Sequence, residues 1–332
     1  MQEFVINAAK AAKMRHASGL GVEQFLASLV KPTADLARPP ISRFHVGAVG
    51  LGVSGRIFRG VNLEFPKLPL NYSVHAEQFL VANALQHGEK QLVFIAVSAA
   101  PCGHCRQFLQ ELRDAGNIRV LITDGKDNQV HPLSYFLPHR FGPDDLLSKD
   151  FPLLLEPRSN GLIAISNPDI SNGNDCSNLH VDLHVEATEE DIEADKKERD
   201  LNKEPSLRSW LREGKRSLLD LKIAAFTAAN ASYAPYSRCP SGISIATRKG
   251  EVYSGSYMES AAYNPGLPAL QAAIVAFVCG GGGEYDEIET AVLVETKDAV
   301  VRHAATVRLA LQSLAPQASF HVSEADFQQR KR

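Results

Sequence analysis

The chain has 332 residues, a formal net charge of −3, 22% charged and 44% apolar residues. That length accommodates about two average domains with a sizeable core, and the balance of charge lacks the basic excess of a nucleic-acid binder. Five cysteines, few and odd in number, argue against a disulfide framework. No apolar run approaches the roughly 20 residues of a membrane span, and "MQEFVINAAKAAKMRHASG" lacks the pattern of a secretory leader. The expectation is a cytoplasmic protein with reduced thiols and neither a membrane nor a nucleic-acid partner.

Apolar positions at Phe4, Val5, Ala8 and Ala12, then at Val22, Phe25, Leu26 and Leu29, suit two short helices broken at Ser18-Gly19. Pro39-Pro40 closes this N-terminal helical segment, residues 1–40. "RFHVGAVGLGVSGRIFRGVNLEF" predicts a hairpin turning at Ser54-Gly55. Its Gly50, Gly52 and Gly55 match Gly-x-Gly-x-x-Gly, but a dinucleotide motif must open a helix and here a β-rich run follows. "YSVHAEQFLVANALQHGE" predicts a helix capped by Ser73 and stopped by Gly88. The strand "LVFIAVS", a helix through "CGHCRQFLQELRDAG" ending at Gly116 and the strand "IRVLITD" predict a parallel βαβ unit. Residues 41–167 form an α/β domain on this reading.

Residues 168–214 are expected to be an acidic linker: "EATEEDIEADKKERDLNKEP" carries nine acidic and four basic residues, the mark of a solvated segment. Residues 215–332 then repeat the first domain. A constant offset of 195 carries Arg43 to Arg238, Gly47 to Gly242, Gly60 to Gly255 and Glu64 to Glu259. After a two-residue deletion Gln78 aligns with Gln271, which puts Pro268 where His75 stands and Leu270 where Glu77 stands. No second "PCGHC" follows. The repeat keeps the scaffold and lacks the chemistry.

In "PCGHCRQF", Cys102 and Cys105 open a helix. Alone they suit a redox pair, half a structural zinc clamp or part of a reactive site. "HAEQ" upstream adds His75, and one imidazole with two thiolates is a set that zinc favours while leaving a fourth position open for water. A redox pair leaves His-x-Glu unexplained, and a closed structural site leaves Glu77 idle. Glu77, two residues after His75, suits a carboxylate that moves protons beside the metal. His-x-Glu with Pro-Cys-x-x-Cys is the pattern of zinc deaminases acting on cytosine or adenine rings. Other histidines, including His45, His104 and His139, have no ligand partners at recognisable spacing, and Cys239 and Cys279 suit packed thiols.

With "FHVGAVG", "GVNLEF", "HAEQFL" and "PCGHCRQF" in the first half, and "YAPYSRCPSG" and "YMESAAYNPGLPALQ" in the second, the chain resembles the cytidine deaminases, specifically their two-lobed homodimeric type. The resemblance implies a duplicated three-layer α/β/α fold with mixed sheets, one catalytic lobe and one degenerate lobe. It implies one zinc per chain on His75, Cys102 and Cys105, with Glu77 as proton shuttle. Asn62 and Glu64 match residues that bind the ribose 3′-hydroxyl, Phe44 an aromatic near the pyrimidine, and Ala76 a further substrate contact. Ala262 and Tyr263 are expected to reach the partner chain's site. Where many relatives carry a Tyr-x-Pro-Tyr-Ser entrance, the first half reads "RPPISRF", and the motif stands only at Tyr233 to Ser237. The implied activity is hydrolytic deamination of free cytidine and deoxycytidine in pyrimidine salvage. One alternative is a deaminase of single-stranded nucleic acid, opposed by the acidic charge and by Glu64, which would repel a phosphodiester. Another is a non-catalytic zinc-binding scaffold, opposed by the intact His-Glu-Cys-Cys set.

Overall fold

The structure, a computed structural model, describes residues 3–124, 129–164 and 217–327; the acidic linker expected at 168–214, with Cys176, lies outside them. The chain opens with β1 (Val5–Ile6), α1 (Ala8–Ser18), α2 (Val22–Ser28) and α3 (Val30–Ala34). Next come β2 (Gly47–Gly52), β3 (Ile57–Val61), α4 (Ala76–Gln86), β4 (Leu92–Val97), α5 (Gly103–Phe108), β5 (Arg119–Ile122), β6 (Val130–Pro132), α6 (Leu133–Phe136) and α7 (Pro143–Leu146). The second lobe comprises β7 (Leu162–Ala164), α8 (Leu218–Asn230), β8 (Ser241–Thr247), β9 (Val252–Ser256), α9 (Ala269–Gly280), β10 (Ile288–Thr296), α10 (Ala304–Leu314) and β11 (Ser319–Phe327).

The strand orders are β1-β3-β2-β4-β5-β6 and β7-β11-β10-β8-β9. Among the described strands only β4 with β5 and β10 with β11 run parallel, so the predicted βαβ unit is present and recurs. Side chains alternate across the first sheet as the pleat requires. Ala48, Phe58, Ile95 and Val97 pack with Phe79 and Leu80 of α4, whereas Val49, Ile57, Phe94 and Ala96 pack with Phe25, Leu26 and Val30 of the first helices. In the second sheet Val292 and Val294 meet Leu221, Ala225 and Phe226 of α8. Each lobe is a three-layer α/β/α unit with a mixed sheet. One apolar cluster runs unbroken from Phe79 and Leu80 through Ala269, Ile274 and Phe277 of α9, so the lobes share a core along the contact of α4 with α9.

The duplication extends to backbone detail. Arg43 and Arg238 both take a φ of 58°, a left-handed conformation uncommon for a non-glycine residue. A side chain at Gly60 would strike Ala76 O and Leu80 N of α4, and one at Gly255 would strike Ala269 O and Ala273 N of α9. Both glycines let a helix lie directly on a strand.

Four expectations need correction. Phe4 and Val5 do not open a helix; β1 completes the free side of β3, and α1 begins after Asn7, whose Oδ1 accepts from Lys10 N at 2.8 Å. The first 40 residues are therefore joined to the first lobe. α4 is capped by His75 and not Ser73, because Val74 is paired with Leu63 and holds the chain extended up to the helix. The helix through Cys105 ends at Phe108 and tightens into a 3₁₀ turn, Leu109–Glu111. Leu162–Ala164, placed by sequence in the first domain, pair with β11, and Asn160 N already bonds to Asn230 O at 2.8 Å. Among the described residues no helix is long and apolar enough to cross a membrane.

Candidate active site

The Leu63–Val74 bridge, with N–H···O distances of 2.8 and 2.9 Å, keeps Asn62 and Glu64 beside the start of α4. His75 caps that helix, its N–H donating to Gln78 Oε1 at 3.2 Å. Cys102 caps α5, and Cys105 sits in its first turn. The two helix starts converge: His75 Nδ1 is 3.4 Å from Cys102 Sγ and 3.3 Å from Cys105 Sγ. All three ligand atoms lie within 4.8 Å of one another. With Zn–S near 2.3 Å and Zn–N near 2.0 Å, tetrahedral edges are roughly 3.5 Å, so the donor set fits a zinc ion.

The thiols divide one charge between them. A hydrogen bond from Cys105 holds the Cys102 thiol down at about 4 against the opposing effect of burial, with the Cys105 amide, the His75 ring and the His104 amide adding to the pull. The same bond, then burial, pushes Cys105 up. A divalent cation held by these two sulfurs and His75 would neutralise both thiolates and displace the remaining proton. Glu77, in the first turn of α4, is 4% exposed. Burial pushes its carboxyl up, while its own amide, His75 and the Cys105 thiol pull it down. It therefore lies beside His75 and Cys105 with its carboxyl shifted towards the protonated form.

The other expected site residues divide by surroundings. Ala76 is buried behind His75. Asn62 braces the entrance, with Oδ1 accepting from Val46 N at 2.9 Å and Nδ2 donating to Phe44 O at 2.9 Å. Glu64 Oε2 accepts from the N–H groups of Ile41 and Ser42 at 2.8 and 2.9 Å, and Oε1 from Ser42 Oγ. Glu259 does the same in the second lobe with Tyr236 N, Ser237 N and Ser237 Oγ. This grip is thus part of the scaffold in both lobes. Phe44 is 60% and Tyr263 73% exposed.

Three contributors escaped the sequence reading. His104, assigned no partner by spacing, places Nε2 3.1 Å from Asn264 O and its ring 5.9 Å from that of His75. Gln78 donates to Pro265 O at 3.3 Å. His75, Gln78 and His104 face Asn264 and Gln271 across a cavity of about 220 Å³, so the second lobe forms a wall of the site. Glu111, fully buried, accepts from Tyr233 Oη, Tyr236 Oη and Ala261 N. Burial pushes its carboxyl up, and those three donors oppose the shift. Only the doubled tyrosine motif offered a sequence signal for these contacts; their partners lie in the other half of the chain.

A His-Cys-Cys metal set with a buried carboxylate, on one half of a duplicated α/β fold, defines a zinc hydrolase. Profiles of the "Cytidine and deoxycytidylate deaminase zinc-binding region" match residues 22–121 and 133–308. Cytidine deaminase 1 of Arabidopsis thaliana is 49% identical over 330 residues, 96% of each chain. Cytidine deaminase of Shewanella pealeana is 32% identical over 93% of this chain and 86% of its own. The solved cytidine deaminase of Mycobacterium tuberculosis is 27% identical over 37% of this chain and 99% of its own, with a TM-score of 0.33. The chain belongs to the cytidine deaminase family.

Proposed function

We propose that the chain hydrolyses free cytidine and deoxycytidine to uridine and deoxyuridine with release of ammonia, within pyrimidine salvage, as a cytoplasmic homodimer holding one zinc per chain. The observation that carries this reading is the convergence of His75, Cys102 and Cys105, their ligand atoms within 4.8 Å of one another, with the carboxyl of Glu77 buried in the helix turn that His75 caps. Bound zinc supplies a Lewis acid that makes a water nucleophilic near neutral pH. His75, Cys102 and Cys105 hold it. Glu77 would take a proton from the attacking water and give it to N3 of the ring, then take the second proton from the new C4 hydroxyl and pass it to the amino group, so that the C4–N bond breaks and ammonia leaves. Asn62 and Glu64 meet the ribose 3′-hydroxyl through the lone pairs their loop leaves free, Phe44 packs on the pyrimidine, and Ala76 lies at the floor beside it.

A second chain fits the exposed apolar residues around the site. Leu70 (71% exposed), which lines the cavity, Phe44 and Tyr263 are apolar side chains left open to water, and on this reading Ala262 and Tyr263 reach the partner's substrate. An ultraviolet assay with cytidine, deoxycytidine and a cytosine-containing oligonucleotide, with metal analysis of the same sample, tests the reaction. Loss of nucleoside absorbance with about one zinc per chain is expected. Turnover confined to the oligonucleotide, or none with zinc bound, would refute it. Sedimentation of a fully active single chain would refute the dimer.

A further inference from the structure

The tyrosines of "YAPYS" play no part in the chemistry above, and they stand in the half of the chain without metal ligands. At the offset of 195, Tyr233 and Tyr236 correspond to Arg38 and Ile41. The lobe that holds the site lacks the pair, and the lobe without the site carries it. Their targets explain the inversion. Tyr233 Oη donates to Glu111 Oε2 at 2.9 Å and Tyr236 Oη to the same oxygen at 2.6 Å, while Oε1 accepts Ala261 N at 2.7 Å. Glu111 belongs to the first lobe, at the end of the 3₁₀ turn that continues α5, six residues after Cys105. A carboxylate of the zinc-bearing segment is thus satisfied by three donors, all of them from the other lobe.

Burying a carboxylate is costly, and apolar replacements of buried polar clusters are often as stable. Stability alone gives this arrangement little reason to exist; position does. The segment from Cys102 to Glu111 is gripped at both ends by the second lobe, through His104 and Asn264 at one end and through Glu111 at the other. Ala261 and Asn264 lie on the same loop; Cys105 stands between the two grips and Cys102 two residues before the first.

We infer that Glu111 is a positioning residue, which with Tyr233 and Tyr236 locks the cysteine-bearing segment in place opposite His75. The second lobe is then a working part of the zinc site of its own chain. The inference rests on the zinc-deaminase reading, and its test separates the two. Glu111→Gln and Tyr236→Phe are compared with Gln86→Ala, a control that removes a different lobe-to-lobe bond, Gln86 Nε2 to Ala272 O at 2.8 Å. For each zinc-loaded full-length protein, the rate of zinc release to a chelator, the melting temperature and kcat are measured. The first two variants should release zinc about 10- to 100-fold faster, as outer-sphere ligand supports do, with kcat falling too. Gln86→Ala should lower the melting temperature alone. Wild-type release rates in Glu111→Gln and Tyr236→Phe, or equal acceleration in Gln86→Ala, would overturn the inference. Zinc release does not depend on which substrate is used, so a wild type inert towards cytidine would remove the deaminase reading and leave this comparison valid.

Discussion

Glu77 is 4% exposed and Glu111 is 0% exposed, yet only Glu111 has a full set of donors from the other lobe. A buried carboxylate without such a set is free to exchange a proton. Glu77→Gln should therefore keep its zinc and lose about 10²- to 10⁴-fold in kcat, the usual worth of an acid–base group; metal analysis beside steady-state rates checks both halves. Glu64 behaves differently with pH. Burial would raise its carboxyl, but the bonds from Ser42 and Ile41 outweigh it and hold the group below the ordinary 4.5. The stabilising contribution is present above the ordinary value and is lost as pH falls through the lowered one. Glu64→Gln should melt below wild type at pH 7, and the gap should close below pH 4.5; a gap constant over that range would show that the carboxylate charge contributes nothing. The metal set was readable because its ligands come in two short motifs at helix starts. Glu111 was not, since 122 residues separate it from Tyr233 and nothing local marks the pair.

α4 carries Glu77, the proposed acid–base group, and β3 lies against it with Gly60 at a point of close approach. Gly60→Ala forces that helix outward and should cost about 1–3 kcal/mol, the usual range for overpacking. The shift falls on Ala76 and Leu80, so turnover should drop as well. Gly255→Ala imposes a like strain on α9, which carries none of the proposed metal ligands, and should lower stability with a smaller fall in kcat than Gly60→Ala gives. Thermal melts with steady-state kinetics on both variants separate these outcomes. Periodicity identified α4 and the parallel βαβ unit, because each has a long apolar stripe of its own. It misread β1, which exists only because β3 offers an unpaired edge, and it ran α5 too long. Both errors come from partners distant in sequence, which no local window contains.

Across the whole molecule, a zinc ion held by His75, Cys102 and Cys105 would join the chain just before α4 to the first turn of α5. A ligand that binds only the folded state stabilises it by mass action. Chelation should thus lower the melting temperature and zinc should restore it; an unchanged melt would mean the ion adds nothing to the fold. The offset of 195 disclosed the duplication, and the repeated grip of Glu64 and Glu259 carries it down to single hydrogen bonds. What the offset left hidden was how the halves meet, because the shared α4–α9 core and the tyrosine junction need both halves folded at once.

Because the tyrosines and Glu111 lie on one polypeptide, their encounter is intramolecular, at an effective concentration fixed by the tether and independent of how much protein is present. Dilution to any level leaves that junction closed. Only contacts between separate chains remain open to dissociation, so a dilution series reads those contacts alone, without a background from the lobes coming apart.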